Sequence, residues 1–328
     1  MVAMISRRTF LASSTAALAA VPLRGFAAQP LTVVATTGMI ADTARRIGGA
    51  EIAVTGLLGS GVDPHSYRQT RQDIAKLTRA DLVLWHGLYL EAQMEEVLLR
   101  LGERQSVVAV TDHLEAAAET SPTRLIASEE YAGRFDPHIW MDPGIWSDVA
   151  ERIAQVLTEA RPSGADAFAN NLAMFKAELS DLQAYGKDAI GNIPQASRVL
   201  VTAHDAFAYF GRAFGMEVVA VQGVSTESEA GLHRIGQLVD MLVTRKIEAV
   251  FVESSVSDRN IRALIEGAAA QGHAVRLGGE LFSDAMGAEG TYAGTLIGML
   301  DHNITTIATA LGGPVPERGH NGRLSAGG

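Results

Sequence analysis

The sequence predicts an α/β protein built as two doubly wound lobes joined by one long helix. Three observations carry that prediction. From residue 31 onward, short runs rich in Val, Leu and Ala alternate with amphipathic helical patterns, the rhythm of parallel strands covered by helices. One helical pattern, residues 165–190, runs without interruption, and the alternation restarts after it. The chain has 328 residues, enough for two cores of ordinary size.

Taken in order, residues 1–27 read as an export signal. Arg7-Arg8 stand in Ser6-Arg7-Arg8-Thr9-Phe10-Leu11, a pattern similar to a twin-arginine signal; an ordinary secretory signal is the alternative, and either exports the chain. The apolar stretch that follows is too short and too alanine-rich to span a bilayer, and Gly25-Phe26-Ala27 offers small residues for cleavage. Leu31–Ala35 reads as a buried strand, with Thr36-Thr37-Gly38 turning into a helix over 39–47. A strand over 52–58 leads through a Gly-rich loop to a short helix over 73–80, capped at Gln72-Asp73. Then come the strand Leu82–Trp85, a helix over 91–101 and a strand over 106–110. Residues 112–135 are polar without periodicity and read mostly as loop. An amphipathic helix over 145–159 ends at Arg161-Pro162-Ser163-Gly164.

In the long helix, Phe168, Leu172, Phe175, Leu179, Leu182 and Ile190 recur largely at steps of three and four. At about 1.5 Å per residue it spans ~39 Å, the length of a whole domain. Beyond it, Val199–Thr202 and residues 217–221, 249–252 and 274–277 read as strands. The expected division is an export signal (1–27), an N-terminal lobe (28–164), the linking helix (165–190), a C-terminal lobe (191–311) and a disordered Gly/Pro/Ser-rich tail (312–328).

Composition narrows the function. The chain is 47% hydrophobic and 20% charged, with a formal net charge of −10. Nucleic acid and anionic membrane surfaces are therefore not expected partners. Loss of residues 1–27 would remove Arg7, Arg8 and Arg24 and no acid, leaving the remainder more acidic still. The absence of cysteine excludes disulfides, thiolate metal sites, a cysteine nucleophile and a lipid anchor on an N-terminal cysteine. A monomer in the periplasm without a membrane anchor is expected.

The chemistry concentrates in four segments, each expected just beyond a short apolar run. They hold His65 in Gly61-Val62-Asp63-Pro64-His65-Ser66-Tyr67, His138 in Asp136-Pro137-His138-Ile139-Trp140-Met141-Asp142-Pro143, His204 in Thr202-Ala203-His204-Asp205-Ala206-Phe207, and Asp284 in Gly279-Glu280-Leu281-Phe282-Ser283-Asp284. Imidazoles with one carboxylate suit a divalent first-row metal. Four such residues at strand ends would meet in one crevice, since open parallel sheets bind ligands beyond the carboxyl ends of their strands. Each residue also has a plainer reading. Asp-Pro is a common turn and helix-entry signal, and Asp205 and Asp284 are both competent helix caps. In Asp63-Pro64-His65 and Asp136-Pro137-His138 the aspartate can bond a loop amide or orient a ring nitrogen. Glu280 competes with Asp284, and the chemistry alone does not choose between them. Glu253 fits support better than ligation. His86, after a strand near the expected crevice, reads as structural; His113, His233, His273, His302 and His320 lack any such context.

These segments, with Gly223-Val224-Ser225-Thr226-Glu227-Ser228-Glu229, resemble in the same order the solute-binding proteins of zinc and manganese ABC importers, the TroA-like metal-binding family. The resemblance covers residues 31 to about 311. It implies two α/β lobes bridged by a single rigid helix, with the metal bound in the interlobe cleft and handed to an ABC transporter permease in the inner membrane. It implies His65, His138, His204 and Asp284 as the metal ligands, choosing Asp284 over Glu280. At His86 the family more often carries asparagine.

A set of three imidazoles and a carboxylate favours zinc over manganese, and family members that prefer manganese often replace the third histidine by glutamate. Against zinc, residues 112–135 lack the His-rich loop of many zinc-specific relatives, and a bidentate Asp284 would suit manganese. Zn2+ is therefore the expected cargo, one per chain, with Mn2+ the alternative. No catalysis is expected. A metal chaperone on the same fold is an alternative function, and an adhesin or a zinc hydrolase with Glu280 or Glu253 as base is a more distant one.

Overall fold

The computed structural model describes residues 29–118, 124–128, 130–227 and 230–325, so the expected export signal lies outside it. Four short strands, β1 (Leu31–Ala35), β2 (Ile52–Gly56), β3 (Leu82–Trp85) and β4 (Val107–Ala109), form one parallel sheet in the order β2-β1-β3-β4. Its centre is apolar on both faces, as a covered parallel sheet requires: Leu82–Trp85 is buried throughout, and Val33 pairs with Val54 on one side and Leu82 on the other. Helices α1 (Gly38–Gly48), α2 (Arg71–Arg79), α3 (Glu95–Gly102) and α4 (Asp112–Ala118) follow the strands in turn.

Next come α5 (Pro143–Ala160) and the 27-residue α6 (Ala165–Gly191). Asp142 caps α5 by accepting from the amides of Gly144 and Ile145, with Pro143 opening the first turn, so the Asp-Pro pair does act as a helix entry. In the second lobe, β5 (Val199–Thr202), α7 (Ala208–Phe214), β6 (Glu217–Ala220), α8 (Leu232–Arg245), β7 (Ala249–Glu253), α9 (Arg259–Ala270), β8 (Arg276–Leu281) and α10 (Leu296–Ala310) follow. Here β5 pairs with β6 and β7 with β8, both parallel, while β5 lies beside β7.

Several element ends shift, as at α2, which begins at Arg71 and is capped by Thr70 with Asp73 in its first turn instead of at Gln72-Asp73; beyond such shifts the structure departs from the sequence reading in three places. Residues 112–118, expected as loop, form α4, whose first residue Asp112 takes two hydrogen bonds from Arg152 of α5 at 2.8 and 3.0 Å. The last strand runs over Arg276–Leu281 instead of 274–277: the pair Gly278-Gly279, which in sequence reads as a turn ending the strand, continues it. Opposite Val250 and Phe251 the register skips from Leu277 to Gly279, leaving Gly278 as the extra residue of a bulge, where a Cβ would lie 2.6 Å from the Phe251 ring.

The tail is the third departure. Residues 312–325, expected to be disordered, wrap back onto α10. Asp301 of that helix is fully buried and accepts from the amides of His320 (2.8 Å) and Asn321 (3.4 Å) and from the Tyr292 hydroxyl (2.8 Å). A buried carboxylate needs such partners, and the tail backbone supplies them.

One apolar core crosses the lobe boundary. It joins Val33 and Leu84 of the first sheet, Phe168, Phe175, Leu179 and Leu182 along α6, and Leu300, Ile304 and Ile307 of α10. Each fully buried side chain of this kind contributes about 1.5–3 kcal/mol. Thus α6 is packed along its length against α1, α5 and α10 rather than standing free as a strut. Among the described residues, no helix is long and apolar enough to cross a membrane.

Candidate metal centre

His204 and Asp284 sit where the strand-end argument places them, just past β5 and β8. His65 lies further out, in the loop between β2 and α2. His138 follows no sheet strand: after the isolated bridge between Ala127 and Phe135, it opens a 3-10 turn, Ile139–Met141, that feeds α5. Local chemistry explains each placement. Asp136 and Glu253 play matching roles, each holding both the amide and the ring of a histidine. Asp136 Oδ1 accepts from His138 N (2.9 Å) and Nδ1 (2.7 Å). The Glu253 oxygens accept from His204 N (2.9 Å) and Nδ1 (2.6 Å). With Nδ1–H committed, both rings present Nε2 inward. Asp63 does less for His65. It accepts the His65 amide (2.8 Å), the Ser66 hydroxyl (2.8 Å) and, from across the cleft, the Thr226 hydroxyl (2.5 Å).

The four side chains converge. Donor atoms of His65, His138, His204 and Asp284 all lie within 4.8 Å of one another, and all four residues are buried. His138 Nε2 is 3.3 Å from Asp284 Oδ1, His204 Nε2 is 3.2 Å from Oδ2, and His65 Nε2 is 3.9 Å from Oδ2 and 3.3 Å from His138 Nε2. Yet His204 Nε2 and both Asp284 oxygens lack a hydrogen-bond partner of acceptable geometry among the described residues. Leaving three buried polar atoms of one cluster unsatisfied is costly, and it is the arrangement a cation resolves. Between the lobes a cavity of about 150 Å3 reaches Asp284 past Thr37, Ser60, Val62 and Met286.

The electrostatics fit the same reading. Burial disfavours a charge on Asp284, but the imidazoles of His204 and His138 outweigh it and hold the carboxyl well below the usual range. Burial likewise opposes charge on His138 and His204. Asp136, with Asp284, nevertheless pushes His138 up to about 9, and Asp284 with Glu253 holds His204 well above an ordinary histidine. For His65 burial prevails and its pKa falls to about 4.

The competing residues fall away from the centre. Glu280 is exposed on β8, and Glu253 is committed to His204, so neither is placed as a general base. His86 is fully buried and neutral, pushed down to about 3 by burial; its Nε2 donates to the Pro137 carbonyl (2.7 Å) and so braces the His138 loop. His233 is exposed, and His113, His273, His302 and His320 are half-buried and outside the cluster. Ser225 accepts the Glu227 amide and Thr226 donates to Asp63, which positions their loop, while Ser228 and Glu229 lie outside the described residues.

Two supporting groups had escaped the sequence reading. Glu91 is buried at the ends of β1 and β3, pushed up to about 7 by burial, and accepts from the Thr36 hydroxyl (2.6 Å) and the His86 amide (2.8 Å). Trp140 reaches from the His138 segment to donate to the Ser283 carbonyl (2.9 Å). A lone glutamate beside Leu90 in an apolar stretch was the available signal for the first.

Comparison with known proteins agrees with this architecture. The family model described as "Zinc-uptake complex component A periplasmic" matches residues 33–310. The chain is 47% identical over 283 residues to the manganese-binding lipoprotein MntA of Bacillus subtilis, covering 86% of this chain and 90% of that protein. It is 44% identical over 279 residues to the zinc-binding protein TroA of Treponema pallidum, covering 85% and 88% of the two. The solved periplasmic zinc-binding TroA of Treponema pallidum superposes with a TM-score of 0.80 at 43% identity, covering 86% of this chain and 99% of that one. This chain therefore belongs to the ZnuA/TroA family, the extracytoplasmic, non-enzymatic solute-binding proteins that bind a divalent metal for uptake by an ABC transporter.

Proposed function

We propose that the Nε2 atoms of His65, His138 and His204 and both oxygens of Asp284 hold one divalent cation, which the protein carries to its ABC permease. The observation that supports this reading is the set of buried donor atoms facing one another, three of them without a hydrogen-bond partner of acceptable geometry among the described residues. Zinc is the favoured cargo and manganese the competitor. Three imidazoles raise affinity in the order that places zinc well above manganese. The two free oxygens of Asp284 provide a fifth donor, which manganese uses better than zinc. The family does not decide the matter, since one relative is named for manganese and another for zinc. Competitive titration of the metal-free mature protein with zinc and manganese, with His204→Ala beside it, tests both points. One tight zinc site lost in the variant supports the reading, comparable manganese affinity moves the cargo to a dual-metal assignment, and no tight site in the parent protein ends it.

We further propose that the mature chain is a freely diffusing periplasmic monomer. Arg7-Arg8 and the small residues before Gln29 support export, and the 328 residues hold no cysteine to carry a lipid, unlike the lipoprotein of Bacillus subtilis. Cell fractionation checks this: release with the periplasmic contents is expected, and retention in the membrane fraction would overturn it.

A further inference from the structure

Asp284 is held differently from the histidines around it. Asp136 and Glu253 fix the rings of His138 and His204 directly, whereas among the described residues the carboxylate of Asp284 meets only the histidines of the cluster itself and no supporting group behind it. Its aim must come from the backbone that carries it. That backbone is clamped by three elements. Asn303, fully buried on α10, accepts the Phe282 amide at Oδ1 (2.9 Å) and donates from Nδ2 to the Phe282 carbonyl (2.7 Å), as a neighbouring strand would. Trp140 holds the Ser283 carbonyl at 2.9 Å, and the Ser255 and Ser283 hydroxyls meet at 2.9 Å. The paired groups stand on the two residues immediately before Asp284. Asn303 alone holds both polar groups of one peptide residue, continuing the strand pairing for one step beyond β8.

We infer that Asn303 is a positioning residue which turns Asp284 so that both carboxylate oxygens face the cation, and that it thereby sets the balance between manganese and zinc. The inference rests on the ligand assignment proposed above. Zinc is content with four donors and tolerates a carboxylate that swings to one oxygen. Manganese lies at the weak end of the divalent affinity order and depends on oxygen donors, so loss of the second oxygen costs it more. The buried amide on α10 acts without touching the metal, as groups behind metal ligands commonly do, and changes to such groups typically cost about 10–100-fold in affinity.

The test is to measure zinc and manganese affinities of the full mature protein, of Asn303→Ala and of Asn303→Asp. Asn303→Asp keeps the side-chain volume and the acceptor for the Phe282 amide but sets an oxygen against the Phe282 carbonyl. A cobalt(II)-loaded visible spectrum of each reports the number of donors. The expected result is a manganese affinity lowered by about 10-fold or more while zinc changes far less, with stronger cobalt d–d absorption as the donor number falls. Asn303→Asp keeps the inference testable should Asn303→Ala fail to fold. Equal losses of both metals, or an unchanged ratio and cobalt spectrum in variants that fold, would overturn it. Asp284→Ala separates the two layers. If it binds metal as the parent does, the ligand assignment fails and this inference with it; if it loses binding while the Asn303 variants keep the parental ratio, only the inference fails.

Discussion

The two sides of the metal centre are built to different standards. On one side, His138 and His204 are wholly buried, and a carboxylate grips the amide and ring of each at 2.6–2.9 Å. On the other, His65 rides a loop whose upstream residues Gly59, Ser60 and Gly61 are exposed. Asp63 fixes its amide, and Tyr67, bonded to Asp73 at 2.6 Å, ties the far end of the loop to α2. Its principal tether across the cleft is the Thr226 hydroxyl on Asp63. A site with one rigid side and one lightly tethered side can hold a metal tightly and still have a way to open. The loop, with fewer holds than either rigid-side histidine, is where opening is expected to cost least.

The harshest test of this asymmetry removes a proposed ligand on the rigid side. Asp284→Ala or His204→Ala is expected to abolish tight binding, whereas His65→Ala should leave a weaker but measurable site; titration calorimetry reads all three, and equal losses would erase the distinction. Next in size is Glu253→Gln, expected to lower zinc affinity by about 10–100-fold while leaving one site per chain. A change of twofold or less would mean that packing, and not Glu253, orients His204.

Acidity separates the sides as well. Without metal, the neighbouring carboxylates push His138 up to about 9 and hold His204 well above its ordinary value, so both are expected to carry the extra proton of imidazolium at neutral pH, while His65, pushed down to about 4, is expected to be neutral. On the proposed ligand assignment, a bound cation would displace the extra proton from each of the first two. Below those raised pKa values, affinity falls by about tenfold per pH unit for each proton displaced. In the metal-free fold, the stability these raised groups supply is complete below the ordinary histidine value and fades as pH rises through the folded ones. The increase in melting temperature given by saturating zinc should therefore grow from pH 6 to pH 9. Calorimetry in buffers of different ionisation heat should count more than one proton released per zinc at pH 7, and release of none would refute the assigned protonation. The smallest effect belongs to the tether. Thr226→Val should raise the zinc dissociation rate by roughly tenfold, the worth of a hydrogen bond to a charged group, with little change in melting temperature; stopped-flow with a chelator measures it, and an unchanged rate would return the loop to the rigid class.

Much of this was legible in the chain because it depends on neighbours in sequence. Leu31–Ala35, Leu82–Trp85 and Val199–Thr202 were readable to the residue, being continuous apolar runs with clear stops. The long helix ended one residue later than its pattern suggested. The last strand was cut short because a Gly-Gly pair reads as a turn, whereas opposite Phe251 it makes a bulge. The tail looked disordered because its partner, Asp301, lies in another element. The four site residues were legible through their motifs, and the structure does bring them together. Choosing Asp284 over Glu280 required the family resemblance, since nothing near either residue in sequence marks the one as exposed and the other as buried. Asn303 left no trace at all: an asparagine inside a helix says nothing until the chain segment it holds is known.

The core that runs without a break from the first sheet through α6 to α10 has a bearing on how such a carrier can diversify. Swinging the lobes apart would expose apolar side chains at about 25 cal/mol per Å2 of surface, so lobe movement is a costly route to faster release. The loop from Gly59 to Thr70 and the cross-cleft tether at Thr226 carry few of those contacts. Changes there are expected to alter how long a cation stays while leaving the contacts of the core in place. Residence time and structural integrity are thus separately heritable traits in this molecule, and a lineage facing a new metal supply can adjust the first without risking the second.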